Sequence, residues 1–171
     1  GKVGTRRDQF GMTEIAVAAP KGDPLDRMDA LTMINFVWPE IEGAFGKTPR
    51  KVLIVGAGDP MWRGGLSAPN SLFFHSQRPL VSENATSTLF HELSHVVTRI
   101  SGEDRSDWIA EGLAEFYSVE LVWRAGGMSD ARRERVYDNL RDWGRTVKTL
   151  RTDRSSAETT ARAVVLLHEL D

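Results

Sequence analysis

The chain has 171 residues, 40% of them hydrophobic, no cysteine and a formal charge of −2. That suffices for a single domain over residues 1–171 with a real core. It excludes disulfides and thiolate metal ligands and leaves no electrostatic footprint for nucleic acid or anionic lipid.

Residues 13–19, ending at Pro20, read as a strand. Residues 26–45 place Leu31, Ile34, Trp38, Ile41 and Phe45 at helical spacing, with Pro39 expected to kink or split the helix. Residues 51–55 form a short apolar run suited to a buried strand. Gly56-Ala57-Gly58 then reads as a turn, lacking the third glycine of a nucleotide-binding loop. From Gly64 to His75 a glycine-permitted approach leads into another strand. A helix over 85–100, with Asn84 as its N-cap, follows, then an apolar helix from 107 onward. A solvated helix over 129–145 and a last helix over 156–170 complete the chain. No apolar run approaches the roughly 20 residues of a membrane span. No signal peptide is visible, and the compartment and oligomeric state stay open.

The informative stretch is His91-Glu92-Leu93-Ser94-His95. On a helix, residues four apart share a face, so both imidazoles can meet one cation while Leu89, Leu93, Val96 and Ile100 form an aliphatic stripe opposite. Two neutral imidazoles suit Zn²⁺, and the intervening Glu92 is placed as a general base toward water. In the next helix Trp108, Ile109, Leu113, Phe116, Val119, Leu121 and Val122 leave little polar face, so Glu111 and Glu115 are expected to be partly buried and to need partners. Glu111 supplies the third ligand that two histidines lack. Glu115, one turn on, is placed to accept the free ring N–H of a ligating histidine.

These residues resemble those of the gluzincin metallopeptidases, which pair HExxH with a glutamate on the following helix. Trp108-Ile109-Ala110-Glu111-Gly112 is similar to a segment of the glycyl aminopeptidase and aminopeptidase N-like families, although the loop before it is shorter than is usual there. The Glu111-x-x-x-Glu115 spacing also resembles the ligand and supporting acid of thermolysin-like enzymes. The resemblance implies that Gly64, Gly65, Leu66 and Ser67 belong to an edge strand that binds peptide. In the aminopeptidases a glutamate on that strand captures the substrate amine, and its position here is Ser67. Those families also use a tyrosine on the oxyanion, whose position matches Thr160. Tyr117, His168 and Tyr137 are the candidate replacements, in that order. His75 is expected at a strand end or the surface, not on the metal.

The expected architecture is α+β: a small mixed sheet drawn from residues 13–82, packed on helices that carry an HExxH zinc site. The expected activity is zinc-dependent hydrolysis of a peptide or protein substrate, with Glu92 catalytic and His91, His95 and Glu111 on the metal. The alternative is a zinc-stabilised binding or regulatory module that has lost turnover. Retention of Glu92 argues for the first, and loss of the tyrosine for the second.

Overall fold

Thr13, Ile15, Val17 and Ala19 are buried and alternate with half-buried neighbours along β2 (Thr13–Pro20), the period-two pattern of a strand with one face on a core. The computed structural model describes residues 1–58 and 64–171. Around β2 stand β1 (Val3–Phe10), α1 (Arg27–Phe45), β3 (Lys51–Ala57), β4 (Gly65–Ala68), β5 (Ser71–His75), α2 (Thr88–Thr98), α3 (Asp107–Arg124), α4 (Asp130–Gly144) and α5 (Ala157–Leu170). The five strands lie in the order β1-β2-β3-β5-β4. The central pairs β2–β3 and β3–β5 are parallel, and the outer pairs β1–β2 and β4–β5 are antiparallel. This is a mixed α+β architecture, with one more edge strand than the apolar pattern predicts.

That strand, β1, is exposed along nearly its whole length and buries only Phe10. Its backbone pairs with β2 from Val3 opposite Pro20 to Phe10 opposite Thr13, so hydrogen bonds rather than apolar alternation define it.

Helix α1 starts where Asp26 accepts hydrogen bonds from the Met28 and Asp29 amides at 2.8 and 3.0 Å, a side-chain cap for two otherwise unpaired donors. Pro39 does not split the helix; the proline sits within one helix running to Phe45. The carbonyl it leaves unpaired is that of Asn35, and both residues are exposed, so the unpaired group is not buried away from solvent.

Two further expectations are corrected. Gly56 and Ala57 are not a turn but the last residues of β3, in register with Phe74 and His75. Residues 64–75 form two strands: β4 at the sheet edge and β5 inside, with Ala68 opposite Ser71 at the hairpin. The edge strand of this pair is therefore β4.

The helices close the other side of the core, where Ile34, Ile54, Phe74, Leu89, Val119 and Val164 are fully buried. Helix α5 lies against α3 at Gly112, where a Cβ would stand 2.7 Å from that of Ala163; any larger residue at 112 would push the helices apart. Helices α3 and α4 are joined by a buried carboxylate. Glu120 Oε1 accepts from Arg133 Nε at 2.8 Å and from the Tyr137 hydroxyl at 2.6 Å. Among the described residues no helix is long and apolar enough to cross a membrane.

Candidate metal centre

Helix α2 buries Leu89, Phe90, Leu93, Val96 and Val97 on the core side. It begins later than expected. Ser87, not Asn84, is its N-cap, accepting from the Phe90 amide at 3.2 Å. Asn84 lies exposed in a turn closed by Ser82 N–H to the Thr86 carbonyl at 2.8 Å. The helix also ends earlier: Arg99 caps it in the left-handed region (φ 54°), so Ile100 leaves the aliphatic stripe and is 40% exposed.

Opposite that stripe, His91 and His95 meet Glu111 of α3. Their Nε2 atoms are 3.2 Å apart. Glu111 Oε2 is 3.1 Å from His91 Nε2, and Glu111 Oε1 is 3.2 Å from His95 Nε2. Two imidazole nitrogens pointed at each other at that distance make a poor pair unless a proton or a cation lies between them. The spacing fits zinc: ligand atoms at about 2.0–2.1 Å around a tetrahedral ion stand about 3.3 Å from one another. These are the three residues able to hold a metal ion among the described residues, and all are partly buried.

Glu115, one turn further along α3, sits behind His91, its Oε2 2.7 Å from Nδ1. The carboxylate accepts the Nδ1 proton, so Nε2 is the ring nitrogen turned toward Glu111 and His95. In the metal-free protein burial works to lower the His91 pKa, but the hydrogen bonds its ring donates to Glu111 and Glu115, and their charges, push it up to about 10. Glu111 moves in the opposite sense. Burial works to raise its pKa, and the two histidines outweigh that and hold it well below the usual carboxylate range.

Glu92 is 92% buried on the sheet side of the same turn. Burial raises its pKa, with the neighbouring histidines opposing and a hydrogen bond from the Ser67 hydroxyl also lowering it. A carboxylate so raised is a better proton acceptor than a solvated one. Space for it exists because β4 presents no side chain there: a Cβ on Gly65 would lie 2.7 Å from Glu92 Cγ and 2.8 Å from Thr88 Cγ2. Two cavities flank the group. One of about 710 Å³ lies between β4 and the loop after α2; the other, about 350 Å³, lies between α2, α4 and α5. Glu92 and Glu111 border both, so a cleft passes on each side of the ligands.

Of the predicted strand residues, Gly65, Leu66 and Ser67 line the larger cavity. Gly64 instead uses its carbonyl to bond the His75 amide at 3.1 Å. The three candidate oxyanion donors lie elsewhere. Tyr117 packs edge-on against Phe45, Tyr137 donates to Glu120, and His168 stacks on Tyr137 with ring centroids 3.7 Å apart. Thr160 does line the smaller cavity, beside Trp143 and Ser156. His75 ends β5 as expected but is buried, its Nδ1 accepting from the Gln77 amide at 3.2 Å. Two cavity residues have no signal in the spacing of the motifs. Arg99 and Asp107 both line the larger cavity, Arg99 anchored on Asn70 and Asp107 accepting from the Ser155 amide at 3.0 Å. Only the position of Asp107, in the first turn of a helix, carries a hint.

No family model and no curated protein matches the sequence. Among solved structures, an aminopeptidase N family protein from Idiomarina loihiensis superposes with a TM-score of 0.69 at 12% sequence identity. The likeness covers all of this chain and 37% of that protein. At that identity the shared property is the fold: this chain is built like about a third of an aminopeptidase N family protein.

Proposed function

We propose that the chain is a zinc-dependent peptidase in which His91, His95 and Glu111 hold the metal and Glu92 is the general base. The observation that carries this reading is the triangle of two Nε2 atoms and one carboxylate with edges of 3.1 to 3.2 Å, beside a buried acid that is not part of it. A bound zinc ion supplies Lewis acidity toward a carbonyl oxygen and lowers the pKa of water. Glu92 takes a proton from the attacking water as the new C–O bond forms, and returns it to the amine nitrogen as the C–N bond breaks. Glu115 keeps the His91 ring in one tautomer. The edge of β4 offers main-chain groups to an extended peptide. Ser67 lends Glu92 a hydrogen bond and offers no charge to a substrate amine.

The aminopeptidase-like fold supports a peptidase of some kind, and the cleft on both sides of the ligands favours bonds inside a chain over a terminal one. The reading without turnover draws on the cavity walls, since no tyrosine is among the described residues that line them. Elemental analysis joined to cleavage of a peptide library separates the two. About one zinc per chain, cleavage by the wild type, and a Glu92→Gln variant that keeps its zinc but cuts nothing are the expected results. Zinc binding with no cleavage of any peptide leaves the binding module; no zinc at all removes both. Peptides with free and acetylated N-termini should be cut at similar rates, and a strong preference for the free amine would show that another acid, such as Asp107, captures it.

A further inference from the structure

We propose that Arg99 selects substrates with an acidic side chain two or three residues before the bond that is cut, an inference that rests on the peptidase reading above. Strand β4 ends the sheet and runs beside α2 in the same direction. Gly65 lies against Thr88 and Glu92, and past the other end of the strand Asn70 Oδ1 accepts from Arg99 Nη2 at 3.0 Å. One free edge therefore leads from the general base to the guanidinium. Arg99 follows the ligand His95 by one helical turn, about 6 Å, and both line the 710 Å³ cavity.

A peptide adding to that edge in the commoner antiparallel sense runs opposite to β4, so it enters from the Arg99 end. At about 3.3 Å per residue, the side chain two or three positions upstream of the scissile carbonyl arrives beside the guanidinium. The charge there is available. Among the described residues no carboxylate pairs with Arg99, whose side-chain bond goes to a neutral amide, whereas Arg133 and Arg141 each hold an acid at 2.8 Å. The backbone points the same way. Arg99 closes α2 at φ 54°, a position that glycine fills without steric penalty, so what an arginine adds is its side chain.

The test compares matched peptides that carry Glu, Gln or Lys at the second or third position before the cut. Wild type should favour Glu by about three- to tenfold in kcat/KM, as a partly exposed ion pair allows, and high salt should shrink the preference. Arg99→Lys should keep the preference, Arg99→Ala should erase it, and Arg99→Glu should turn it toward Lys. Affinity for the same peptides, read by fluorescence anisotropy on zinc-loaded Glu92→Gln protein with and without Arg99→Ala, supplies a measure independent of turnover. Equal cleavage and equal affinity for Glu and Gln peptides, or a preference untouched by Arg99→Ala, overturns the proposal while leaving the peptidase reading intact. A preference in binding that depends on Arg99, with no peptide cut, sustains the selection and removes the peptidase reading.

Discussion

Glu115 makes the most quantitative demand on the proposed zinc site, because it is not itself one of the proposed ligands and yet contacts one of them. Its Oε2 lies 2.7 Å from His91 Nδ1, while the Ser118 hydroxyl donates to the Glu115 carbonyl at 2.8 Å and lies 3.3 Å from the carboxylate Oε1. Glu115→Ala leaves the His91 ring free to rotate and to exchange tautomers. Losing such an outer partner typically lowers metal affinity about 10- to 100-fold, or about 1.4 to 2.7 kcal/mol. With free zinc at a thousand times the wild-type Kd, binding stabilises the native state by about 4.1 kcal/mol; the variant retains only about 1.4 to 2.7 kcal/mol. For a domain of this size each kcal/mol is about 2 to 4 °C, so the zinc-induced rise in Tm should shrink by about 3 to 11 °C. The assay is a thermal melt of each protein with and without zinc. Each variant then serves as its own reference, since Glu115→Ala also disturbs the metal-free fold. Glu115→Gln, which still presents an acceptor oxygen, should fall between the two. A zinc-induced shift in Glu115→Ala within a degree of wild type would refute the role given to this residue.

Three other outcomes are expected. Gly65→Ala puts a methyl group 2.7 Å from Glu92 Cγ; it should lower kcat at least about tenfold while zinc content, read by elemental analysis, stays at the wild-type level. Proton linkage has a definite sign. In the metal-free fold the His91 pKa stands at about 10, above its ordinary value of 6.5, so its proton adds stability below about pH 6.5 that is lost as pH rises through 10. Glu111, depressed, adds stability above its ordinary range that is lost in acid. Between those limits zinc must expel the His91 proton, so calorimetry in buffers of different ionisation enthalpy should report about one proton released per zinc at pH 7, with apparent affinity rising with pH; no release would contradict the ligand assignment. Finally, Arg133→Met strips Glu120, which is 1% exposed, of its nearer charge partner and leaves only Arg124 Nε at 3.9 Å among the described residues. Urea unfolding should show a loss of about 3 to 5 kcal/mol, and a Glu120→Gln, Arg133→Met double variant should lose less than the sum of the singles.

The histidines and Glu111 are legible because their meeting depends on quantities that sequence carries directly. A four-residue helical step joins His91 to His95, and an apolar helix soon afterward must turn its few carboxylates toward something that welcomes charge. The features that escape depend on contacts between distant segments. Strand β1 shows no alternation because a solvated edge strand has no apolar face to display. The cap at Ser87 rather than Asn84 was decided by the turn between Ser82 and Thr86, since both residues are good caps by composition. Pro39 reads as a break until the exposure of Asn35 is known. Nothing in local spacing joins Arg133 and Tyr137 to Glu120, and the distance of Tyr117 from the cleft follows from which side of α3 meets Phe45.

The contact of Gly112 with Ala163 has an evolutionary side. It seats α5 on α3 through backbone and methyl groups, on the helix that also carries Glu111, so the wall bearing Thr160 stands at a distance set independently of the side chains that line it. A lineage could then exchange the residue at 160 for a larger or more polar one, reshaping the smaller cavity without moving the proposed metal ligands. A substitution at Gly112, though hidden from any substrate, would shift the wall and Glu111 together. Diversity should therefore gather at 160 and constraint at 112.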